Sequence, residues 1–359
     1  MQVSRQPSEN NQEVPGAEPL VEVTRGGITE SRHRGHIVAV DPDGQIVAQL
    51  GARETVTYLR SSAKPHQAIP LIASGAADRF GFDEKEIALA CASHSGELIH
   101  TEVAASMLKK IGLPANALKC GIHEPFSPEV ARQLREKGEQ PNVLQNNCSG
   151  KHAGMLALAL HLGAPIETYD RPENPVQLAI GETVSEFSDI AIEDIAVGTD
   201  GCGVPVFGIT LKAMALMYAR LISPASKFDQ KTKVACARIV SAMTGHPELI
   251  GGTKDRLDTE IMRAAKGRLV SKVGAEGVYT VGVMPSDKWP RGFGLALKIE
   301  DGDDHRARPT VVIESLRQLG ILADESLEAV SRYAFFPVRN RRGEVVGEVT
   351  AEFELKTNN

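Results

Sequence analysis

Apolar and polar residues alternate near both ends of the chain, which predicts β-sheet there. Residues 20–24 alternate, and residues 36–40 and 46–50 flank the turn residues 41–44, a pattern that indicates a β-hairpin. Later segments with strand character lie on either side of loops that contain proline, glycine or asparagine. They are residues 277–283, 293–299, 332–338 and 344–355.

The middle of the chain has helical spacing instead. Apolar residues recur at helical intervals over 98–111, and we expect Ser95 to cap that helix and Gly112 to end it. Residues 151–162 are apolar nearly all round, which is typical of a central buried helix. Further helices are predicted over 128–137, 174–187, 211–222, 231–243 and 310–319.

These patterns predict an α+β fold in which one antiparallel sheet is built from both chain ends and a helical lobe lies between them. We expect residues 1–18, which are polar, to form a disordered tail. Residues 19–359 are expected to form a single catalytic unit. Its sheet would come from about 19–60 and 268–359, and its helical lobe from about 61–267, with a cleft between the two.

Composition restricts the class of protein. The chain has 359 residues, 42% of them hydrophobic, and a formal net charge of −6 with acids and bases interspersed. This argues against nucleic acid or an anionic membrane as the main partner. Five widely spaced cysteines and the lack of an apolar export signal indicate reduced thiols and a cytoplasmic location.

A serine and a lysine three residues apart follow the predicted strand at 56–59. A serine hydroxyl is a weak nucleophile near neutral pH and needs a base within hydrogen-bond reach. Because positions i and i+3 share a helix face, Ser61 and Lys64 would lie together, and Pro65 is tolerated in a first helical turn. The lysine has to be neutral to accept the proton, which burial or a second cation can arrange. A Ser-x-x-Lys spacing alone is common in proteins of this length, so whether Ser61 and Lys64 are catalytic depends on the other motifs of the chain.

Two further segments carry groups suited to this chemistry. Lys-Val-Gly at 272–274 precedes a predicted strand, and its glycine would let a ligand approach the sheet edge closely. With Ser61 and Lys64 it matches the layout of serine β-lactamases and penicillin-binding proteins, although a solvated edge lysine is the alternative. Ser93 follows an apolar run and could bond substrate or relay a proton, or it could serve only the local turn.

Two cysteines occur at places where a thiol can be activated or can bind metal. Cys148 opens the buried helix, where the helix dipole favours a thiolate. Cys202 lies in the glycine-rich loop 198–205. Three roles remain open for Cys148: a nucleophile, a metal ligand or a small buried apolar residue. With Lys151 or His152, two thiols would make a zinc-like set, but the usual Cys-x2-Cys pair is absent.

Taken together, the motifs resemble the Rhizobium etli-type, or class 3, L-asparaginases. The resemblance runs from about residue 21 to 302. The family has a fold similar to serine β-lactamases, is usually homodimeric, and hydrolyses L-asparagine to L-aspartate and ammonia. The matching motifs, in family order, are RSSAKP at 60–65, CASHS at 91–95, KCGIH at 119–123, NCSGKH at 147–152, GTDGC at 198–202 and KVG at 272–274.

On the positions that match these motifs, the resemblance implies three groups of site residues. The catalytic residues would be Ser61 as nucleophile, Lys64 as its base, and Ser93 with Lys272 as a second Ser–Lys pair. The zinc ligands would be Cys148, Lys151 and Cys202. The residues lining the substrate pocket would be Arg60, His152 and Asp200.

The chain departs from the family pattern in two places. Near Leu257 the family member compared has a cysteine, whereas this chain has Arg256, Leu257 and Asp258, which leaves the local pocket contacts open. Ser62 stands where alanine is usual.

Other functions are compatible with the same residues. A glutaminase or a broader ω-amidase would use the same chemistry in a pocket deeper by one methylene, a difference that changes binding only modestly. A catalytically inactive metal-binding or sensor protein would bind ligand without releasing ammonia. A β-lactamase or D-alanyl peptidase would share the Ser–Lys layout but is expected to carry an export signal.

Overall fold

A computed structural model describes residues 16–323 and 325–357 of the chain. Within these ranges the strands form a nine-stranded antiparallel sheet and a separate antiparallel sheet of three strands. The strands are β1 (Glu18–Arg25), β2 (Ile28–Val40), β3 (Ile46–Leu50), β4 (Val56–Tyr58), β5 (Ala196–Thr199), β6 (Pro205–Thr210), β7 (Leu269–Val273), β8 (Val278–Val283), β9 (Phe293–Ile299), β10 (Phe336–Arg339), β11 (Val345–Ala351) and β12 (Lys356–Thr357).

The large sheet joins the two ends of the chain. Its order is β10-β11-β1-β2-β9-β8-β7, with β3 paired to β2 and to β12. Val21 of β1 lies opposite His33 on one side and Ala351 on the other, so β1 has partners from both ends. The α+β prediction, with an antiparallel sheet built from both chain ends, is therefore confirmed, and β7 with Lys272 lies at the sheet edge as expected.

Helices occupy most of the chain between β4 and β7. Several have the predicted ends: α6 is capped by the Ser127 side chain, and both α5 and α6 end at a glycine in the left-handed conformation. The helices are α1 (Lys64–Gln67), α2 (Ile69–Ala73), α3 (Ala76–Arg79), α4 (Glu84–Ala90), α5 (Leu98–Ile111), α6 (Pro128–Lys137), α7 (Ser149–Leu162), α8 (Pro175–Ser188), α9 (Leu211–Ile222), α10 (Gln230–Gly245), α11 (Pro247–Ile250), α12 (Leu257–Ala264), α13 (Ala307–Gln318) and α14 (Glu325–Glu328).

The core lies between the large sheet and its helices. α9 packs against β9, β8 and β2, and α13 packs against β1, β9 and β11. The approach of α9 to β9 depends on Gly294, because a Cβ there would lie 1.9 Å from the Ala215 carbonyl oxygen. Six of the seven residues of β9 are buried, so both faces of this strand are covered.

Some sequence predictions were wrong. The region expected to be a helical lobe contains β5 and β6, and β4 joins these strands instead of the large sheet. Ser95 does not cap α5: Glu97 holds the N-cap position, and the Ser95 hydroxyl donates to the Gly251 carbonyl at 2.9 Å. Residues 331–333 form a 3₁₀ turn, so β10 begins only at Phe336.

Most of the predicted N-terminal tail lies outside the described part of the chain. Of the tail predicted over 1–18, residues 1–15 lie outside the described residues, and Glu18 already begins β1. Among the described residues, no helix has both the length and the apolar character that crossing a membrane requires.

Burial of His66 makes the stability of the fold depend on pH. The ring lies against Phe187 and Tyr218, Nε2 donates to the Met217 carbonyl at 3.0 Å, and burial lowers the pKa of His66 from 6.5 to about 4. A lowered folded-state pKa contributes stability that is present above pH 6.5 and is lost as the pH falls through 4. We expect a loss of about 3 kcal/mol in the free energy of unfolding over this window.

The variant His66→Phe retains a ring but cannot take up a proton. We expect it to be less stable than the wild type at pH 7 by about 1 kcal/mol, because the hydrogen bond is lost. Its free energy of unfolding should fall less steeply between pH 6.5 and 4. Urea unfolding at several pH values measures both slopes, and parallel slopes would contradict the prediction.

Candidate active site

A sharp turn after β4 presents Ser61. The Leu59 N–H donates to the Phe207 carbonyl at 2.9 Å, which ties the end of β4 to β6. Arg60 then takes a φ of 51°, in the left-handed region that is costly for a residue with a side chain. A 3₁₀ turn over Arg60–Ala63 follows, and α1 begins at Lys64. The strained turn leaves Ser61 half-buried.

Ser61 lies in the wall of a cavity of about 750 Å³, between the large-sheet edge and the helical lobe. The same wall includes Ser93, Cys148 and Asp200 from the helical lobe, and Gly274 from the end of β7. A volume of this size is typical of sites for small molecules. Segments far apart in the sequence therefore meet at one cavity.

The Lys64 side chain contacts Ser93 rather than Ser61. Lys64 is 1% exposed, and its Nζ donates to Ser93 Oγ and to the Ala92 carbonyl, each at 2.7 Å. A third, longer hydrogen bond reaches the Asn147 carbonyl at 3.4 Å. The Ser61 hydroxyl has no hydrogen bond within residues 16–323 and 325–357, so proton transfer to Lys64 would need a small rotation or Ser93 between them.

Lys272 lies behind the cavity wall and is completely buried. Its Nζ is 3.6 Å from Asp258 Oδ2 and donates to the Val273 carbonyl at 3.3 Å. Burial lowers the pKa of Lys272 to about 7; the Asp258 carboxylate opposes this, and Lys64 adds to it. Ser61 and Ser93 thus lie in the cavity wall, both lysines are buried, and the contact observed among the four is that of Lys64 with Ser93.

The three predicted zinc ligands also converge. Lys151 Nζ donates to Cys202 Sγ at 2.9 Å, and a hydrogen bond from Cys202 holds the pKa of the Cys148 thiol well below its usual value. Burial opposes a charge on Lys151, but Cys148, Cys202 and Asp200 together raise its pKa. Without metal, Lys151 is therefore an ammonium ion that balances a thiolate.

The donor types in this group suit zinc, because thiolates are preferred zinc ligands and a lysine amine can bind once it is deprotonated. Among the described residues, no group of three or more His, Cys, Asp or Glu side chains is placed to hold a metal ion. The Cys148, Lys151 and Cys202 set contains only two such side chains. The donors fit a metal, and the presence of zinc stays a prediction.

The three residues predicted to line the substrate pocket differ in their positions. Arg60 Nε donates to Asp200 Oδ1 at 2.8 Å, and both side chains lie in the cavity wall. His152 is fully buried and lies outside that wall; its Nδ1 is 2.7 Å from the Tyr169 hydroxyl. The same hydroxyl accepts a hydrogen bond from the Lys119 N–H at 2.8 Å. His152 thus supports the helix that carries Lys151.

The sequence left the role of Arg256 open and gave no role to several other residues of the cavity wall. Arg256 donates to Ser95 Oγ at 2.8 Å and to the Ser93 carbonyl at 2.7 Å, so it holds the loop that carries Ser93. No spacing in the sequence links these residues, which are more than 150 positions apart. Others in the wall are His123, Phe126, Asn147, Arg308, Tyr333 and Phe336.

Comparison with solved structures finds glutaminases. A structure described as a probable glutaminase from Bacillus subtilis complexed with 6-diazo-5-oxo-L-norleucine is 16% identical, with a TM-score of 0.36, and the match covers 80% of this chain and 84% of that one. A Bacillus glutaminase in 4.3 M NaCl is 15% identical, with a TM-score of 0.35 and coverage of 80% and 91%. TM-scores this low do not by themselves establish a shared fold or function. The α+β assignment therefore rests on the sheet and helices described above.

Comparison with sequences gives a clearer result. None of the curated proteins matches the chain. The family model described as L-asparaginase II matches residues 21–351. This range includes the sharp turn at Ser61, Cys148, Cys202 and Lys272. The chain therefore belongs to the L-asparaginase II family and is an amidohydrolase.

Proposed function

We propose that the protein hydrolyses L-asparagine to L-aspartate and ammonia through an acyl-enzyme on Ser61. The observation that supports this most is the meeting of Ser61, the Lys64–Ser93 contact and the buried Lys272 at one cavity, in a chain of the L-asparaginase II family. A lone hydroxyl in a cavity could serve many purposes. A hydroxyl in a cavity wall with a buried lysine–serine contact at the same cavity has the groups that nucleophilic catalysis requires.

In the acylation step, Ser61 Oγ attacks the carbon of the substrate's side-chain amide. The serine proton passes to neutral Lys64, directly or through the Ser93 hydroxyl, which is 2.7 Å from Lys64 Nζ. Backbone N–H groups at the elbow would stabilise the oxyanion. The proton then moves to the leaving nitrogen, the C–N bond breaks, and ammonia departs from a β-aspartyl ester of Ser61.

In the deacylation step, water attacks the ester carbon with the same base, and Ser61 leaves with a proton. Lys272 would be a second cation in the buried cluster, and Lys64 is among the groups that lower its pKa. The roles of Ser93 and Lys272 would be to relay the proton and to supply this cation.

The opposite charges of Arg60 and Asp200 suit the α-carboxylate and α-ammonium groups of an amino acid. Both side chains lie in the cavity wall and bond each other at 2.8 Å, so each is already oriented. A zinc ion would be held by Cys148, Lys151 and Cys202 and would orient the same two substrate groups. The homodimer and the cytoplasmic location stay predictions from the sequence.

Glutamine is the main alternative substrate, since it is longer by one methylene and the cavity of about 750 Å³ can hold either amino acid. A coupled assay of ammonia release from L-asparagine, L-glutamine and their D-forms decides between them. We expect the highest kcat/KM with L-asparagine. A higher kcat/KM with L-glutamine would identify glutamine as the substrate instead of asparagine. If none of these amino acids releases ammonia, the proposal is contradicted.

Replacing the nucleophile should abolish turnover. We expect Ser61→Ala to lower kcat by on the order of a thousandfold or more, because no other hydroxyl takes its place. The matched control is the neighbour Ser62→Ala, whose buried hydroxyl donates to the Leu59 carbonyl at 2.6 Å. This control should lose about 1 kcal/mol of stability and keep its kcat within a few fold. Full turnover in Ser61→Ala would contradict the mechanism.

Metal analysis tests the thiol group separately from activity. Purified protein supplied with zinc should bind it, and Cys148→Ser should lose the bound zinc and raise KM more than it lowers kcat. The control is Cys236→Ser, because Cys236 is buried in α10, remote from the cavity wall. If the wild type binds no zinc and Cys148→Ser leaves KM unchanged, the metal proposal fails while the Ser–Lys mechanism stands.

A further inference from the structure

Asp258 is a buried carboxylate in the first turn of α12. Its side chain is 1% exposed, and neither carboxylate oxygen has a hydrogen-bond partner among the described residues. Lys272 Nζ lies 3.6 Å from Oδ2, just beyond hydrogen-bond distance. The carboxylate therefore faces a single cation at close range and is shielded from solvent.

An enclosed carboxylate without a partner is costly, and a buried charge is tolerated when another charge balances it. The other polar groups around Asp258 do not do this. The Ser271 hydroxyl donates to the backbone carbonyl of Asp258 at 3.2 Å rather than to the carboxylate. The Tyr279 hydroxyl also has no hydrogen-bond partner among the described residues. Arg256 also feels the charge of Asp258: burial lowers the pKa of that guanidinium, and the Asp258 charge opposes this lowering. Lys272 is the cation that forms an ion pair with Asp258 within 4 Å among the described residues.

Each element packed around Lys272 presents a titratable or charged group to it. Arg256, just before α12, and Lys64 of α1 whenever it carries a proton disfavour a charge on Lys272. Asp258 is the strongest group that favours the charge, and the Cys148 thiolate adds a weaker contribution. Cys91, at the end of α4, also faces it, and burial raises the pKa of that thiol to about 12, so it is neutral.

We propose that Asp258 is a positioning residue that keeps Lys272 charged behind the cavity wall, beside the Lys64–Ser93 pair. The inference rests on the proposed amide hydrolysis, and it assigns different tasks to the two lysines. Lys272 is the fixed cation that stabilises the negative charge developing during attack by Ser61. Lys64, which bonds Ser93 directly, is left to transfer protons.

The pH dependence of kcat/KM tests this role. In the wild type the active form has Lys272 protonated, so kcat/KM falls on the alkaline side as Lys272 loses its proton. The pKa of Lys272 is about 7, because burial lowers it and the Asp258 charge opposes that lowering. In Asp258→Asn the opposing charge is gone, so the pKa of Lys272 falls further and the alkaline limb moves to lower pH. We expect a shift of about one pH unit or more, which is tenfold in kcat/KM along the limb.

Two companion variants separate this role from a structural one. Asp258→Glu keeps the charge and should keep the alkaline limb close to that of the wild type. Asp255→Asn is the matched control, because Asp255 is three residues away but is 78% exposed and pairs with Arg332 at 2.8 Å. Its alkaline limb should stay where the wild type has it. Equal shifts in Asp255→Asn and Asp258→Asn would overturn the proposal.

Arginine at position 272 gives a test that does not depend on the folding of Asp258→Asn. Arginine stays charged throughout the accessible pH range. Lys272→Arg should therefore lose the alkaline limb, and adding Asp258→Asn should change its pH profile little. If Lys272→Arg keeps the alkaline limb of the wild type, this inference is overturned, while the proposed function stands. A wild type that releases no ammonia from asparagine or glutamine would contradict the proposed function and this inference with it.

Discussion

The site depends on keeping two lysine side chains out of water. Lys64 is 1% exposed and Lys272 is not exposed at all. Removing an ammonium group from solvent costs several kcal/mol, which the surrounding groups must offset. For Lys64 these groups are the carbonyls of Ala92 and Asn147 and the Ser93 hydroxyl, and for Lys272 the Asp258 carboxylate. The hydrogen bonds and the ion pair that the buried lysines need therefore bring the segments of the site together.

Close helix packing supplies the acceptors in the right place. A Cβ at Gly150 would lie 2.3 Å from the Leu89 carbonyl oxygen, so only glycine lets the start of α7 approach the end of α4 this closely. Ala92 and Ser93 follow α4, and Asn147 and Cys148 precede α7. The same approach thus gives Lys64 its acceptors and sets Cys148 in the cavity wall. The two chemical groups of the site share one structural support.

Sequence patterns predicted the elements well where their signals are local. The hairpin at β2 and β3 follows from alternation and turn residues, and the ends of α6 follow from Ser127 and Gly138. The small sheet was missed because β6 is a short apolar run between helices, which periodicity cannot separate from a helix. The link between Arg256 and the Ser93 loop was missed because it exists only after folding, across more than 150 residues. Motif spacing reveals which residues carry chemistry, whereas the groups that hold them in place are set by tertiary packing.

The pairing of β1 with β11 has a consequence for synthesis of the chain. Val21 is synthesised long before its partner Ala351. Ser61 is likewise synthesised long before Lys272 on β7. Contacts between such distant parts of a chain slow folding, because a long loop must close before they form. A chain whose synthesis stops before residue 272 therefore carries Ser61 without the buried lysine that completes the candidate site.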